Sequence, residues 1–120
     1  MMYKIEAIVR EEKLEELKTA LTEIEVNGIT IWQVLGFGSQ RGYKRVVRGQ
    51  EIDVMTHSKV KFEIVVSSEE WRDKTIDTVL RVANTNHVGD GKIFVSEILD
   101  AIRIRTGERG YGALQPDFEE

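Results

Sequence analysis

The chain has 120 residues, 41% of them hydrophobic, and 17 basic against 21 acidic residues give a formal net charge of −4. This size predicts one small domain with its own core. The absence of cysteine excludes disulfides, thiolate metal sites and a cysteine nucleophile. Because the opening MMYKIEAIVR is charged and no apolar run is long enough for a membrane span, we expect a cytoplasmic protein. The acidic balance argues against general attraction to nucleic acid or to anionic membranes.

The hydrophobic pattern predicts strand, helix, strand, strand, helix, strand in chain order. Alternation over residues 3–10 predicts the first strand, and apolar residues three or four apart over residues 11–25 predict a helix that ends at Asn27-Gly28. The remaining predicted elements are strands at 29–35, 60–66 and 92–98, and a helix that follows a capping-box pattern at 67–70 and has an apolar stripe of Trp71, Ile76, Val79, Leu80 and Ala83.

This order is typical of an α+β, ferredoxin-like βαββαβ sandwich with two helices on one face of an antiparallel sheet. The other face carries residues such as Ile8 that need a cover, which suggests that subunits associate. The connection over residues 36–58 is far longer than a hairpin needs. Between Gly38 and Thr56 it holds four basic and two acidic residues, and we interpret it as a mobile arm that faces a partner.

Gly89-Asp90-Gly91-Lys92, at the entry to the last strand, is a candidate phosphate-binding turn. Glycines allow successive N–H groups to form an anion-binding nest, and the lysine adds a full charge. The alternative is an ordinary turn with a solvated lysine. It is not a Walker A loop, because Asn86 and Ile93 stand where that motif needs glycine and Ser or Thr.

Arg103 and Arg105 form a second candidate anion site. In an extended segment both side chains project to one side, and two guanidinium groups suit a polyphosphate. The alternative is a pair of surface ion pairs with the many glutamates.

No catalytic constellation emerges from the sequence. Gly36-Phe37-Gly38 lacks the third glycine of a dinucleotide fingerprint, because Arg41 occupies its place. His57 and His87 are solitary, as expected of solvated loop histidines. Trp32 and Trp71 fit packing or interface positions better than nucleotide stacking.

Four segments together resemble the PII signal-transduction family: GFGSQ at 36–40, RGQE at 48–51, GDGKIFV at 89–95 and DAIRIRTGERG at 100–110. The match is collinear from Met2 to about Gly112. It implies a trimer of ferredoxin-like subunits, with competing ATP and ADP in the clefts between subunits and 2-oxoglutarate joining MgATP. Residues 1–112 would form the domain, with a T-loop at about 37–56 that binds target proteins, a B-loop at about 84–92 and a C-terminal loop at about 100–112, followed by a tail at 113–120.

The resemblance also assigns residues, each by position in this sequence. Phosphate contacts would come from Gly38, Ser39, Gln40, Gly89, Asp90, Gly91, Lys92, Arg103 and Arg105. Adenosine contacts would come from Ile8, Thr30, Gly36, Phe37, Glu63 and Val65. Gln40 would bind Mg²⁺, and with Lys59 it would hold 2-oxoglutarate. The partner-binding residues of the T-loop would be Arg41, Tyr43, Lys44, Arg45, Arg48, Glu51 and Ile52, and the partner would be a transporter or a metabolic enzyme, so that any membrane contact is indirect.

The chain departs from the family pattern at several positions. Ile52 and Gln50 replace the tyrosine and serine that are modified in some members, so neither modification can occur there. Ser39 replaces an arginine, which removes a charge that triphosphate would contact. After the second helix, Asn84 and His87 replace a basic pair and Asn86 replaces a glycine.

These observations favour a non-enzymatic sensor in which the nucleotide sets the T-loop conformation. A second hypothesis is a variant that senses another small anion, such as bicarbonate. A third is a phosphate-ester hydrolase, because acylphosphatases share this fold and bind phosphate with an arginine. Nucleic-acid binding is disfavoured because the basic arm has one aromatic residue after Phe37 and a charge excess of two.

Overall fold

The computed structural model describes residues 1–37, 44–47, 50–53 and 56–118, and it describes the backbone alone at 44–47 and 50–53. Its strands and α-helices are β1 Met2–Arg10, α1 Leu14–Glu23, β2 Ile29–Phe37, β3 Lys44–Val47, β4 Gln50–Asp53, β5 Thr56–Val66, α2 Glu69–Ala83 and β6 Gly91–Ile98. Short 3-10 helices lie at Glu11–Lys13 and Gly110–Leu114.

The main sheet is antiparallel, with strand order β2-β5-β1-β6. β1 pairs with β5 from Tyr3↔Val66 to Arg10↔Lys59, and with β6 from Met2↔Ile98 to Val9↔Gly91. The start of β6 and the early part of β5 therefore lie at one end of the sheet, and the chain leaves β6 at the other. The predicted ferredoxin-like α+β fold is confirmed, while the trimer stays a prediction.

The core lies between one face of the sheet and the two helices. Strand side chains alternate between faces, and the buried hydrophobic residues are Tyr3, Ile5, Ala7, Val9, Leu17, Ala20, Leu21, Val26, Val60, Phe62, Ile64, Val66, Val79, Val82 and Ala83. All four inward positions of β1 from Tyr3 to Val9 belong to this set, so both helices cover the same face.

The first predicted helix differs from the structure at both ends. Residues 11–13 form a 3-10 turn, and the α-helix begins at Leu14. At the other end Glu25 has a φ of 66°, its N–H donates to Thr22 O at 2.9 Å, and the Val26 N–H donates to Leu21 O at 3.0 Å. This is the Schellman arrangement, with glutamate where glycine is usual, so the helix ends ahead of Asn27-Gly28.

The N-terminus of α2 is capped by Ser68, whose hydroxyl oxygen accepts from the Trp71 N–H at 3.2 Å. The predicted capping box needs Glu70 three residues after the cap. The observed cap, Ser68, lies one residue later, so Trp71 occupies the position three residues after it. The hydrogen bond that a Glu70 side chain would return to the cap is therefore missing.

The buried face of α2 is also rotated from the predicted stripe. Leu80 is 54% exposed, whereas Thr75 and Thr78 are buried. Their hydroxyls donate to Trp71 O at 2.7 Å and Lys74 O at 2.9 Å, which satisfies them inside the core. Across the described residues, no helix has the length and apolar character needed to cross a membrane.

The long connection is partly regular. β2 and β5 stay paired out to Phe37↔Thr56, beyond the predicted strand limits, and β3 pairs with β4 from Lys44↔Asp53 to Val47↔Gln50. The extension was missed because both Phe37 and Thr56 are exposed, so no burial pattern marks it. The predicted mobility of the arm stays a prediction.

The sheet face opposite the helices carries a strip of paired side chains. Lys61 Nζ lies 2.9 Å from Glu6 Oε2 and 5.3 Å from the centre of the Trp32 ring, and Lys4 Nζ lies 3.4 Å from Glu6. The hydrogen bond from Lys61 lowers the pKa of Glu6, and its acceptor Glu6 raises the pKa of Lys61. The charged side chains of this strip pair with one another within one chain.

Candidate functional site

The loop that leads from α2 into β6 has an unusual backbone. Asn86, Gly89 and Gly91 have φ angles of 62°, 103° and 106°. Glycine adopts positive φ without strain, and asparagine tolerates it better than most residues. Asn86 therefore adopts a left-handed conformation at the position where the PII family pattern has glycine.

Gly91 lies where β1 and β6 approach closely. A Cβ placed on Gly91 would lie 1.7 Å from the Ile8 carbonyl oxygen and 2.8 Å from its carbon. Backbone atoms cannot move aside as the end of a long side chain can. This position therefore requires glycine, both for its φ and for the space.

Arg10 and Asp90 hold the loop against β1. Arg10 Nε donates to Asp90 Oδ1 at 3.0 Å, and Arg10 Nη2 donates to Val88 O at 2.8 Å. The Thr85 N–H donates to Asp90 Oδ2 at 2.7 Å, and the Thr85 hydroxyl donates to Oδ1. The hydrogen bonds from Thr85, followed by those from Arg10, hold the pKa of Asp90 well below its usual range.

The Asp90 carboxylate is therefore ionised and engaged within the loop. The phosphate contact that the resemblance implies for Asp90 stays a prediction, and the side chain of Asp90 shapes the turn. Its pairing with Arg10 also reduces the repulsion that a free carboxylate would exert on an anionic ligand.

Lys59 reaches the same loop from β5. Its ammonium donates to the Gly89 carbonyl oxygen. Burial, with a further contribution from nearby Arg10, lowers the pKa of Lys59. Because burial disfavours the charged form of Lys59, an arriving anion would stabilise its ammonium group.

A pocket of about 400 Å³ opens beside this loop. Its lining residues are Ile8, Gly36, Phe37, His57, Lys59, Val88, Gly89, Gly91, Lys92 and Phe94. Seven of them were predicted site residues, and His57, Val88 and Phe94 were missed. Phe37 and Val88 are each 77% exposed, so the pocket offers apolar walls beside the ammonium groups of Lys59 and Lys92. It suits a ligand with an apolar part and an anionic part.

The sequence carries different information about the three missed pocket residues. Phe94 follows Ile93 on β6 and therefore points to the opposite face, the face of Ile8, which the alternation could have shown. His57 was expected to be solvated in a loop, but it lies half-buried on β5. Val88 has no pattern that marks it.

Three other predicted residues lie further along the sheet. Thr30 pairs with Glu63 across β2 and β5, and Val65 lies two residues beyond. Glu63 is four residues from Lys59, about 13 Å along the strand. Val65 lines a different pocket of about 180 Å³, together with Tyr111, Leu114 and Gln115.

Arg103 and Arg105 lie with that second group. The segment is a tight turn and not extended as predicted, because the Arg103 N–H donates to Glu108 O and the Gly107 N–H to Arg103 O, both at 2.8 Å. The Arg103 guanidinium donates to the carbonyl oxygen of Gln115, which lines the Val65 pocket. Both arginines nevertheless converge on one carboxylate, that of Asp117.

The structure thus separates the predicted site into two groups. The first half-site is Ile8, Gly36, Phe37, Lys59, Gly89, Gly91 and Lys92. The second half-site is Thr30, Glu63, Val65, Arg103 and Arg105. The first half-site lies toward the end of the sheet where β6 begins and reaches Ile8, which pairs with Lys61, and the second lies beyond Lys61 toward the other end.

The remaining predicted residues belong to the T-loop. Gly38, Ser39, Gln40, Arg41, Tyr43 and Arg48 lie outside the described residues. At Lys44, Arg45, Glu51 and Ile52 the backbone alone is described. In the part of the chain that the structure describes, no three acidic or histidine side chains cluster in a way that would hold a metal ion.

Comparison with known proteins gives a consistent result. The family model described as "Nitrogen regulatory protein P-II" matches residues 2–108. A nitrogen regulatory protein P-II from Bradyrhizobium diazoefficiens is 49% identical over 113 residues, which cover 94% of this chain and all of that protein.

Solved structures agree in both sequence and fold. GlnK of B. subtilis superposes with a TM-score of 0.76 at 40% identity, covering 93% of this chain and 97% of that one. A B. subtilis GlnK–ATP complex has a TM-score of 0.76 at 38% identity, covering 93% and 94%. The family model and the Bradyrhizobium relative are both named as nitrogen regulatory proteins, in agreement with the prediction of a non-enzymatic protein. The chain belongs to the nitrogen regulatory protein P-II family.

Proposed function

We propose that this chain forms a homotrimer that binds ATP and ADP in the clefts between subunits, and that the bound nucleotide controls a partner protein through the T-loop. The partner would be a transporter or a metabolic enzyme linked to nitrogen and carbon supply. The observation that carries the proposal is the division of the predicted nucleotide contacts into two half-sites toward opposite ends of one sheet.

A single chain does not unite these half-sites. Between them Glu6 and Lys61 neutralise each other and Trp32 lies against Lys61, so this strip offers little to an anion. If the first half-site of one copy met the second half-site of the next, one cleft would contain Lys59, Lys92 and both arginines. A closed ring of identical head-to-tail contacts supplies this arrangement at every interface.

The first half-site fits a nucleotide. Gly89 and Gly91 have positive φ angles, as glycines in anion-binding turns can have, and Lys92 and Lys59 supply charge. Phe37 and Val88 offer apolar surface for a base. The B. subtilis GlnK–ATP neighbour supports adenine nucleotide as the ligand, and no observation favours bicarbonate sensing or ester hydrolysis.

The proposal extends to Mg²⁺ and 2-oxoglutarate. Gln40 would contact the metal at the nucleotide phosphates, and Gln40 with Lys59 would hold 2-oxoglutarate. We expect 2-oxoglutarate to bind only in the presence of MgATP. Calorimetric titration with and without MgATP tests this order, and equal binding without nucleotide would contradict it.

A mixing experiment tests the site between subunits. Lys92→Ala removes a charge from the first half-site and Arg105→Ala removes one from the second, so each protein alone should bind ATP poorly. If the two are unfolded, mixed in equal amounts and refolded, random assembly leaves about one quarter of the clefts with both residues intact. ATP binding should return at about one quarter of the wild-type stoichiometry.

The control is the same procedure on each variant alone. The expected mass of the assembly is that of three chains, measured by light scattering. No recovery in a mixture whose mixed trimers are demonstrated by mass spectrometry would contradict the proposal that two copies share a site.

The regulatory part is tested by co-purification from native cytoplasmic extract. We expect a partner whose binding differs between ATP and ADP, and whose binding is lost when residues 41–52 are deleted. Equal recovery under both nucleotides would argue against control by the nucleotide.

A further inference from the structure

The C-terminal tail holds both arginines of the second half-site. Arg105 Nε donates to Asp117 Oδ2 at 3.1 Å, and its Nη2 donates to Oδ1. Arg103 Nε lies 3.6 Å from Asp117 Oδ2. The Asp117 carboxylate therefore accepts a bidentate pair of hydrogen bonds from the Arg105 guanidinium and forms an ion pair with Arg103.

A carboxylate and a phosphate present the same kind of surface to arginine. Both accept two parallel hydrogen bonds from one guanidinium, so Asp117 occupies the groups of Arg105 that a phosphate would use. At Arg103 it takes the Nε side, while Nη1 pairs with Glu108. The hydrogen bond from Arg105, with the nearby charge of Arg103, lowers the pKa of Asp117. The carboxylate is therefore anionic at neutral pH.

The tail is placed for this contact by its own backbone. Arg103 Nη2 donates to Gly112 O at 3.1 Å and also to Gln115 O, and the Gln115 N–H donates to Gly112 O at 3.2 Å. Pro116 restricts the backbone immediately before Asp117. The segment lies beyond residue 108, where the family match ends.

The contact can also be broken. The side chains of Arg105 and Asp117 are 49% and 38% exposed, and exposed ion pairs are weak. A nucleotide phosphate with more charge than one carboxylate would therefore be able to displace the tail.

We propose that Asp117 is an internal competitor for the arginine pair, so that nucleotide binds the second half-site only by displacing the tail. This rests on the proposed nucleotide function and adds a regulatory element to the same site. The tail lowers the apparent affinity for every phosphate ligand and so raises the nucleotide concentration at which the sensor responds. Because nucleotide binding releases the tail, the position of the C-terminus also depends on whether the site is occupied.

The test is calorimetric titration of ATP into the wild type and into Asp117→Ala. Removing the competitor should tighten binding about fivefold, the scale of one exposed ion-pair network. The matched control is Asp73→Ala, which removes an exposed carboxylate 2.9 Å from Arg72 on α2 and should leave the affinity unchanged.

Hydrogen exchange supplies a second readout. Saturating ATP should speed exchange at residues 112–118 of the wild type, and Asp117→Ala should show the faster exchange without nucleotide. If both proteins bind ATP with equal affinity, or if exchange in the tail does not respond to ATP, the inference is overturned while the proposed function stands. If neither protein binds ATP or ADP, the proposed function is contradicted, and this inference with it.

Discussion

Gly91→Ala is the substitution that most directly tests the packing of the candidate site. The added methyl group would lie 1.7 Å from the Ile8 carbonyl oxygen and 3.3 Å from the Val9 Cα. The residue also has a φ of 106°, where an L-residue is strained. The change therefore combines a conformational cost with an overlap between backbone atoms that only a shift of one strand relieves.

The conformational cost and the cost of the overlap can be estimated separately. Positive φ for alanine costs about 1–2 kcal/mol. Relieving the overlap requires β1 and β6 to separate by about 1.5 Å, which weakens one or two ladder hydrogen bonds at about 0.5–1.5 kcal/mol each. We expect a total loss of about 1.5–5 kcal/mol in the free energy of unfolding.

Gly28→Ala is the matched control, because Gly28 has a φ of 71° and no heavy atom within 4 Å of an added Cβ. It should cost about 1–2 kcal/mol from strain alone. Equilibrium urea unfolding measures the free energy of unfolding of both variants. ATP affinity of Gly91→Ala should fall about tenfold or more, since a displaced loop loses at least one charge-assisted hydrogen bond. Equal destabilisation by the two substitutions would refute the close approach of β1 and β6.

Further predictions concern the loop and the core. Arg10→Met keeps an unbranched side chain but removes the donors to Val88 and Asp90, and titration should show weaker ATP binding with the fold intact by circular dichroism. The pKa of Asp90 is lowered on folding, so its stabilisation is present above the ordinary value of 3.8 and declines progressively as the pH falls from there towards the lower pKa of the folded state; urea unfolding from pH 7 to pH 3 should show the onset of an acid loss that Asp90→Asn reduces. Leu17→Ala should cost about 2–5 kcal/mol at a fully buried position, whereas Leu80→Ala should change stability by about 0.5 kcal/mol or less.

Most of the fold could be predicted because burial alone decides it. Alternation in β1 and the spacing of Leu17 and Leu21 follow directly from which faces are covered. The face of α2 was predicted less well, because counting apolar residues passes over Thr75 and Thr78. Their hydroxyls bond to carbonyls of the preceding turn, which makes burial possible for a polar residue.

Seven of the predicted residues line one pocket, but the contacts among the residues of the candidate site could not be predicted. The glycines marked the turn, since few other residues adopt its backbone. The role of Arg10 could not be predicted, because its partner Asp90 is eighty positions away and an isolated arginine on a strand has no distinguishing pattern. Nor does the sequence show that Arg103 and Arg105 meet Asp117 through a turn, because that depends on hydrogen bonds between backbone atoms.

We propose above all that this regulator binds adenine nucleotide at the pocket beside Lys92. Calorimetric titration of ATP into the wild type, Lys92→Gln and Lys18→Gln tests it most directly, because Lys18 is an exposed lysine that pairs with Glu15 on α1. We predict saturable binding to the wild type, affinity about tenfold to a hundredfold weaker for Lys92→Gln from the loss of a charge-assisted contact, and no change for Lys18→Gln. No binding to the wild type at millimolar ATP, or undiminished binding to Lys92→Gln, would contradict the account.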